Sequence, residues 1–75
     1  SATPDVVCDE MAERFHAEVK FVERLNVRAA MRQAERDAND NQIPYVAHKA
    51  SNKPWLVTLR ADEFLALVQS HLGQH

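Results

Sequence analysis

Asp5, Glu18 and Lys20 are the residues whose types and spacing could do chemistry together: Pro4-Asp5, then twelve residues, then Glu18-Val19-Lys20. Two carboxylates brought to one point offer the oxygen ligands that a hard divalent cation such as Mg²⁺ takes. An ion held there stabilises charge on phosphoryl oxygens and lowers the pKa of its bound water. A neighbouring ammonium group orients that water and offsets negative charge in the transition state. Those are the parts that phosphodiester hydrolysis needs. The plainer readings are Asp5 as a first-turn helix residue, and Glu18 with Lys20 as an exposed strand pair of nearly neutral energy.

Whether the three groups meet depends on the elements that carry them. Phe15, Ala17, Val19 and Phe21 alternate strictly with His16, Glu18 and Lys20, the period of a half-buried strand, and this sets Glu18 and Lys20 on one face. Upstream, Asp5-Val6-Val7-Cys8 is short and β-branched after Pro4 and reads as a second strand, antiparallel to the first across a turn near Asp9 to Ala12. A competing reading makes residues 4–22 one helix, with Thr3 as N-cap, Pro4 at N1 and Val7, Met11, Phe15 and Val22 on one side. It leaves Val19 and Phe21 off that stripe, so the strand is preferred.

The remaining elements are plainer. Asn26 can cap a helix on which Val27, Ala30, Met31, Ala34 and Ala38 recur at helical spacing, ending in Asn39-Asp40-Asn41. Residues 43–48 and 55–59 read as strands joined by the polar Lys49-Ala50-Ser51-Asn52-Lys53, a hairpin. Residues 61–72 return to helical spacing, with Asp62 and Glu63 in the first turn and Gly73 placed at C′. The expected class is α/β in the order ββαββα, one domain over residues 1–75 without internal repeats.

Composition narrows the field. At 45% hydrophobic and 27% charged the chain is of ordinary globular type, and it lacks both a signal-peptide pattern and an apolar run of the roughly 18 residues that a membrane span requires. Cys8 is the single cysteine, which excludes an internal disulfide and a Cys-rich zinc module and fits a reducing, cytoplasmic setting. Seventy-five residues bury little surface, so completion by a second copy or by a further segment is expected. The net charge of −2 conceals segregation: residues 1–18 carry −4, residues 19–60 carry +4 and residues 61–75 carry −2. Carboxylates for a cation thus sit beside cations for phosphates.

Arg24, Arg28, Arg32 and Arg36 recur at i+4 and form a basic ridge that slowly drifts around a helix. Phosphate contact and a salt-bridged face shared with Glu23, Glu35 and Asp37 are the two readings of it. Lys49 and Lys53 in the hairpin are further candidates for DNA contact, beside the blander reading of His48 and Lys49 as ordinary hairpin surface. Trp55 is read as core before base stacking. His71 and His75 stand apart from any zinc-ligand pattern.

Taken with the helix bearing Gln33-Ala34-Glu35-Arg36-Asp37-Ala38 and the strands Ile43-Pro44-Tyr45-Val46-Ala47-His48-Lys49 and Lys53-Pro54-Trp55-Leu56-Val57-Thr58-Leu59, the chain resembles the PD-(D/E)XK nuclease superfamily. Within it the likeness is to the small Holliday-junction-resolvase-like nucleases of phages and bacteria, and it spans most of the chain. The resemblance implies a restriction-endonuclease-like core, Asp5 and Glu18 as ligands of Mg²⁺ or Mn²⁺, Lys20 as the catalytic lysine and Gln33 as a glutamine beside the active site. It also implies duplex or branched DNA as substrate and a homodimer to engage two strands. Members of the family place a helix and a strand before the PD strand, often with a further glutamate; three residues precede Pro4 here, and Asp9 and Glu10 are not evident substitutes. The alternative is therefore a non-catalytic DNA- or protein-binding module built on a nuclease-like fold.

Overall fold

The computed structural model describes residues 9–73. Their order is α1 (Asp9–Arg14), β1 (Phe15–Phe21), α2 (Val27–Asp37), β2 (Ile43–Lys49), β3 (Leu56–Thr58) and α3 (Ala61–Leu72). The three strands form one mixed sheet in the order β1-β2-β3, with β1 parallel to β2 and β3 antiparallel to it. The α/β class holds, but the described order αβαββα differs from the expected ββαββα. Where a turn was expected near Asp9 to Ala12, the chain forms α1; Asp9-Glu10-Met11-Ala12-Glu13-Arg14 has no Gly, Asn or Pro to favour a turn, and Ala, Met, Glu and Arg are good helix formers. The expected strand at Asp5 to Cys8 lies outside the described residues. A single helix over residues 4–22 is excluded, because β1 begins at Phe15.

Parallel pairing of β1 with β2 needs a crossover, and α2 supplies it. The helix begins where Asn26 is extended and its Oδ1 accepts from the Ala29 backbone N–H at 3.1 Å. It ends in an Asx turn, in which Asn39 Oδ1 accepts from Asn41 N–H at 2.8 Å. Beside this turn, Gln42 Nε2 donates to the Ala12 carbonyl at 2.7 Å and ties it to α1. The β2–β3 hairpin forms as expected, and Asn52 takes the positive φ of 61° that its loop requires. Gly73 ends α3 at φ −84°, so its freedom at positive φ is unused; its N–H simply continues the helix ladder to Gln69.

The core is small and asymmetric. Ala30 and Ala34 let α2 sit close over Val46, and Leu25 and Met31 close around them. Central β2 buries Tyr45, Val46 and Ala47 in succession because both its faces are covered. Edge strand β1 reverses the usual arrangement. Its polar residues share the α2 face, whereas Val19 and Phe21 on the opposite face remain 44% and 54% exposed. The outward face gains T-shaped contacts of Phe15 with Tyr45 and of Phe21 with Trp55, and a Lys49 ammonium over the Phe21 ring. Trp55 is thus a packing residue.

Helix α3 contributes no buried residue. Its start is fixed by Arg60, whose guanidinium forks onto the Asp62 carboxylate at 3.1 and 2.9 Å and reaches Glu35 on α2 at 3.5 Å. The hydrogen bond from Arg60 holds the Asp62 carboxyl below its usual range. Because the folded value is depressed, the associated stability is present above the unfolded carboxylate value and is lost as pH falls through the lower folded one. An NMR titration should give Asp62 a lower midpoint in the wild type than in Arg60→Gln; equal midpoints would contradict the fork.

Candidate functional site

The face of β1 beneath α2 carries His16, Glu18 and Lys20, set two residues apart so that a strand turns all three to one side. Parallel register puts Glu18 beside Val46 and Lys20 beside His48, so the polar row lies directly next to the apolar contact that seats α2. From α2, Gln33 and Asp37, one helical turn apart, reach down to this row.

The geometry is close. Lys20 Nζ donates to Gln33 Oε1 at 3.2 Å and stands 4.0 Å from Glu18 Oε1. His16 Nε2 lies 3.9 Å from Glu18 Oε2. His16, Glu18 and Asp37 each present a ligand atom, and these atoms lie within 4.8 Å of one another. The Glu18 side chain is only 17% exposed, and among the described residues it is approached by charged neighbours at the outer limit of ion pairing without a hydrogen bond. Lys20 is the nearest cation to that carboxylate, at the outer limit of an ion pair.

Of the residues singled out from sequence, Glu18, Lys20 and Gln33 are therefore brought together, while Asp5 lies outside the described residues. His16 and Asp37 were not singled out. His16 had a signal in its shared strand face with Glu18 and Lys20. Asp37 had one in standing a helical turn beyond Gln33, but only once the helix was known to cross β1.

Arg24, Arg28, Arg32 and Arg36 are all exposed, and none forms an ion pair or side-chain hydrogen bond with a described residue. Two of their supposed partners are engaged elsewhere, Glu35 with Arg60 and Glu23 with the Ser51 backbone N–H, and Asp37 lies near His16 and Glu18. Only Arg28, Arg32 and Arg36 lie on α2; Arg24 precedes the cap Asn26, so the expected ridge of four is a row of three, which at 3.6 residues per turn drifts about 40° per step from a cleft that Arg28 and Arg32 line with Thr58 and Arg60 toward the Gln33 side of the helix. Lys49 rests over Phe21, and Lys53 lines a separate cleft with Val22, Pro54 and Leu56. That cleft also takes in Lys49, Glu23 and Leu25, so the hairpin lysines lie near the loop that holds Arg24. His48 bonds Thr58 Oγ1 at 2.9 Å across the hairpin.

Comparison of the chain with protein families, with curated proteins and with solved structures finds no match. No helix among the described residues is long and apolar enough to cross a membrane.

The Lys20–Gln33 contact should appear as coupling in stability. A double-mutant cycle of Lys20→Met and Gln33→Leu in urea unfolding is expected to give about 0.5–1 kcal/mol of interaction. Strict additivity would place the two side chains apart.

Proposed function

We propose that the chain is a nuclease domain that hydrolyses DNA phosphodiester bonds with Mg²⁺ or Mn²⁺. Glu18 is a metal ligand, Lys20 orients the attacking water and offsets phosphoryl charge, and Gln33 holds the lysine ammonium in place. Asp5 is assigned as a further ligand on sequence grounds alone. The observation that carries this reading is the convergence of Glu18, Lys20 and Gln33 from two elements onto one half-buried polar face. A sheet that turns polar residues toward its helix and apolar ones outward departs from the pattern that would best stabilise it, and such departures concentrate at functional sites.

The proposed track for the DNA backbone is Arg24 with the row Arg28, Arg32 and Arg36 on α2, since four exposed guanidinium groups with no carboxylate partner among the described residues favour phosphates. Lys49 and Lys53 extend the same role onto the hairpin. Duplex or branched DNA is the substrate class, read by backbone and shape. A restriction-endonuclease-like core is the finer fold proposed, in the cytoplasm. The exposed apolar residues Val19, Phe21, Val57, Phe64 and Leu65 support a homodimer or another covering partner. The rival is a binding module without cleavage.

Incubation with linear, nicked and four-way-junction DNA tests the assignment. Cleavage is expected with Mg²⁺ or Mn²⁺, and Lys20→Met should lower the rate by about a hundredfold or more while leaving DNA binding in place. Binding without cleavage under every metal would favour the rival. If all four arginines contact phosphate, the logarithm of the duplex binding constant should fall against log salt with a slope of roughly −3.6. A slope unchanged by Arg32→Gln and Arg36→Gln would remove the row from the interface.

A further inference from the structure

We infer that His16, Glu18 and Asp37 form a binding site for one divalent transition-metal ion, of the Mn²⁺ or Zn²⁺ type, and that this site discriminates against Mg²⁺. The inference concerns the metal chemistry of the proposed nuclease site, and shares Glu18 with it, but does not depend on DNA hydrolysis. It follows from the donor set. One imidazole nitrogen and two carboxylates come from β1 and α2, with all ligand atoms inside 4.8 Å. Two donors bound to one such ion stand at most about 4.2 Å apart, twice a metal–nitrogen or metal–oxygen bond. That limit is reached only by donors on opposite sides of the ion; neighbouring donors stand about 3–3.4 Å apart, so the 3.9 Å between His16 and Glu18 must close by about 0.5–1 Å and the widest pair by roughly 1.4–1.8 Å at most. Asp37 is exposed and free to make that movement.

The backbone beneath is fixed. Val46 packed on Ala30 and Ala34 sets the height of α2 above β1, so the helix carboxylate and the two strand ligands face one another across a gap determined by the core. A half-buried Glu18 without a hydrogen bond from a described residue supplies a negative centre that water does not fully solvate. Ligand type then selects the ion. Mg²⁺ prefers an all-oxygen octahedron and retains its waters, whereas imidazole suits Zn²⁺ and the later first-row ions; Mn²⁺ is a hard ion that nonetheless accepts a nitrogen donor more readily than Mg²⁺ does, and it serves as the paramagnetic probe. His16 is therefore the specificity-determining ligand, and Lys20, 4.0 Å from Glu18 on the far carboxylate oxygen, is left outside the triad.

Calorimetry with Mn²⁺ and with Mg²⁺ on the full chain, together with amide spectra of the ¹⁵N-labelled protein, tests this. Mn²⁺ should bind at one per chain, and substoichiometric Mn²⁺ should first broaden the signals of residues 16, 18 and 37. His16→Ala should weaken Mn²⁺ by about tenfold or more while changing Mg²⁺ affinity far less. Asp37→Asn, at an exposed position that leaves folding intact, should weaken Mn²⁺ as well, and Cys8→Ser should not. Broadening centred elsewhere, unchanged Mn²⁺ affinity in His16→Ala, or equal affinity for Mg²⁺ and Mn²⁺ would overturn the site. The two proposals fail separately: Mn²⁺ bound at the triad with no DNA cleavage ends the nuclease reading alone, and Mg²⁺-supported cleavage that is insensitive to His16→Ala, with no Mn²⁺ at the triad, ends this one alone.

Discussion

The packing of Ala30 and Ala34 on Val46 is the contact from which the rest of the structure follows. Two small residues one turn apart let the helix approach the sheet closely, and a single fully buried valine fills the space between. That contact is made on β2, yet its consequence falls on β1. Because β1 runs parallel to β2 in register, the height and direction of α2 over Val46 also decide what stands above Glu18 and Lys20. A larger residue at Ala34 would lift the helix from the strand and separate Gln33 from Lys20.

This constraint explains why the sheet is unusual. Most half-buried strands turn apolar residues inward, and β1 has the right alternation to do so. The helix nevertheless sits over His16, Glu18 and Lys20, and α1 covers only the beginning of the opposite face, leaving Val19 and Phe21 to solvent. Five buried residues make a modest core for the described part of the chain. Two surfaces of the described residues thus stand out: a polar face that carries His16, Glu18 and Lys20, and an exposed apolar face that carries Val19 and Phe21. The first is where chemistry is proposed, and the second is where a covering partner is proposed.

Much of this was legible in the sequence, for identifiable reasons. The period of two from Phe15 to Phe21, the Asn26 cap and the polar hairpin segment are local signals, and each element formed where its signal lay. The shared face of Glu18 and Lys20 followed from that same period. What the sequence did not disclose was long-range: which face of β1 would meet α2, and that Asp37 would arrive beside His16. Both depend on the crossover and on where Val46, far along the chain from its β1 partner Glu18, seats the helix. The helix at Asp9 to Arg14 was missed for a different reason, since a strand on each side was expected and a turn was inserted to join them despite residues that favour helix.

The central claim is that a divalent cation belongs on the α2 face of β1, at Glu18. An anomalous difference map from crystals of the full chain grown with Mn²⁺ addresses it most directly. The account predicts a peak at coordination distance from the Glu18 carboxylate, on the side of His16 and Asp37 and away from the Lys20 ammonium. Strong Mn²⁺ density on other carboxylates with none at Glu18 would contradict it.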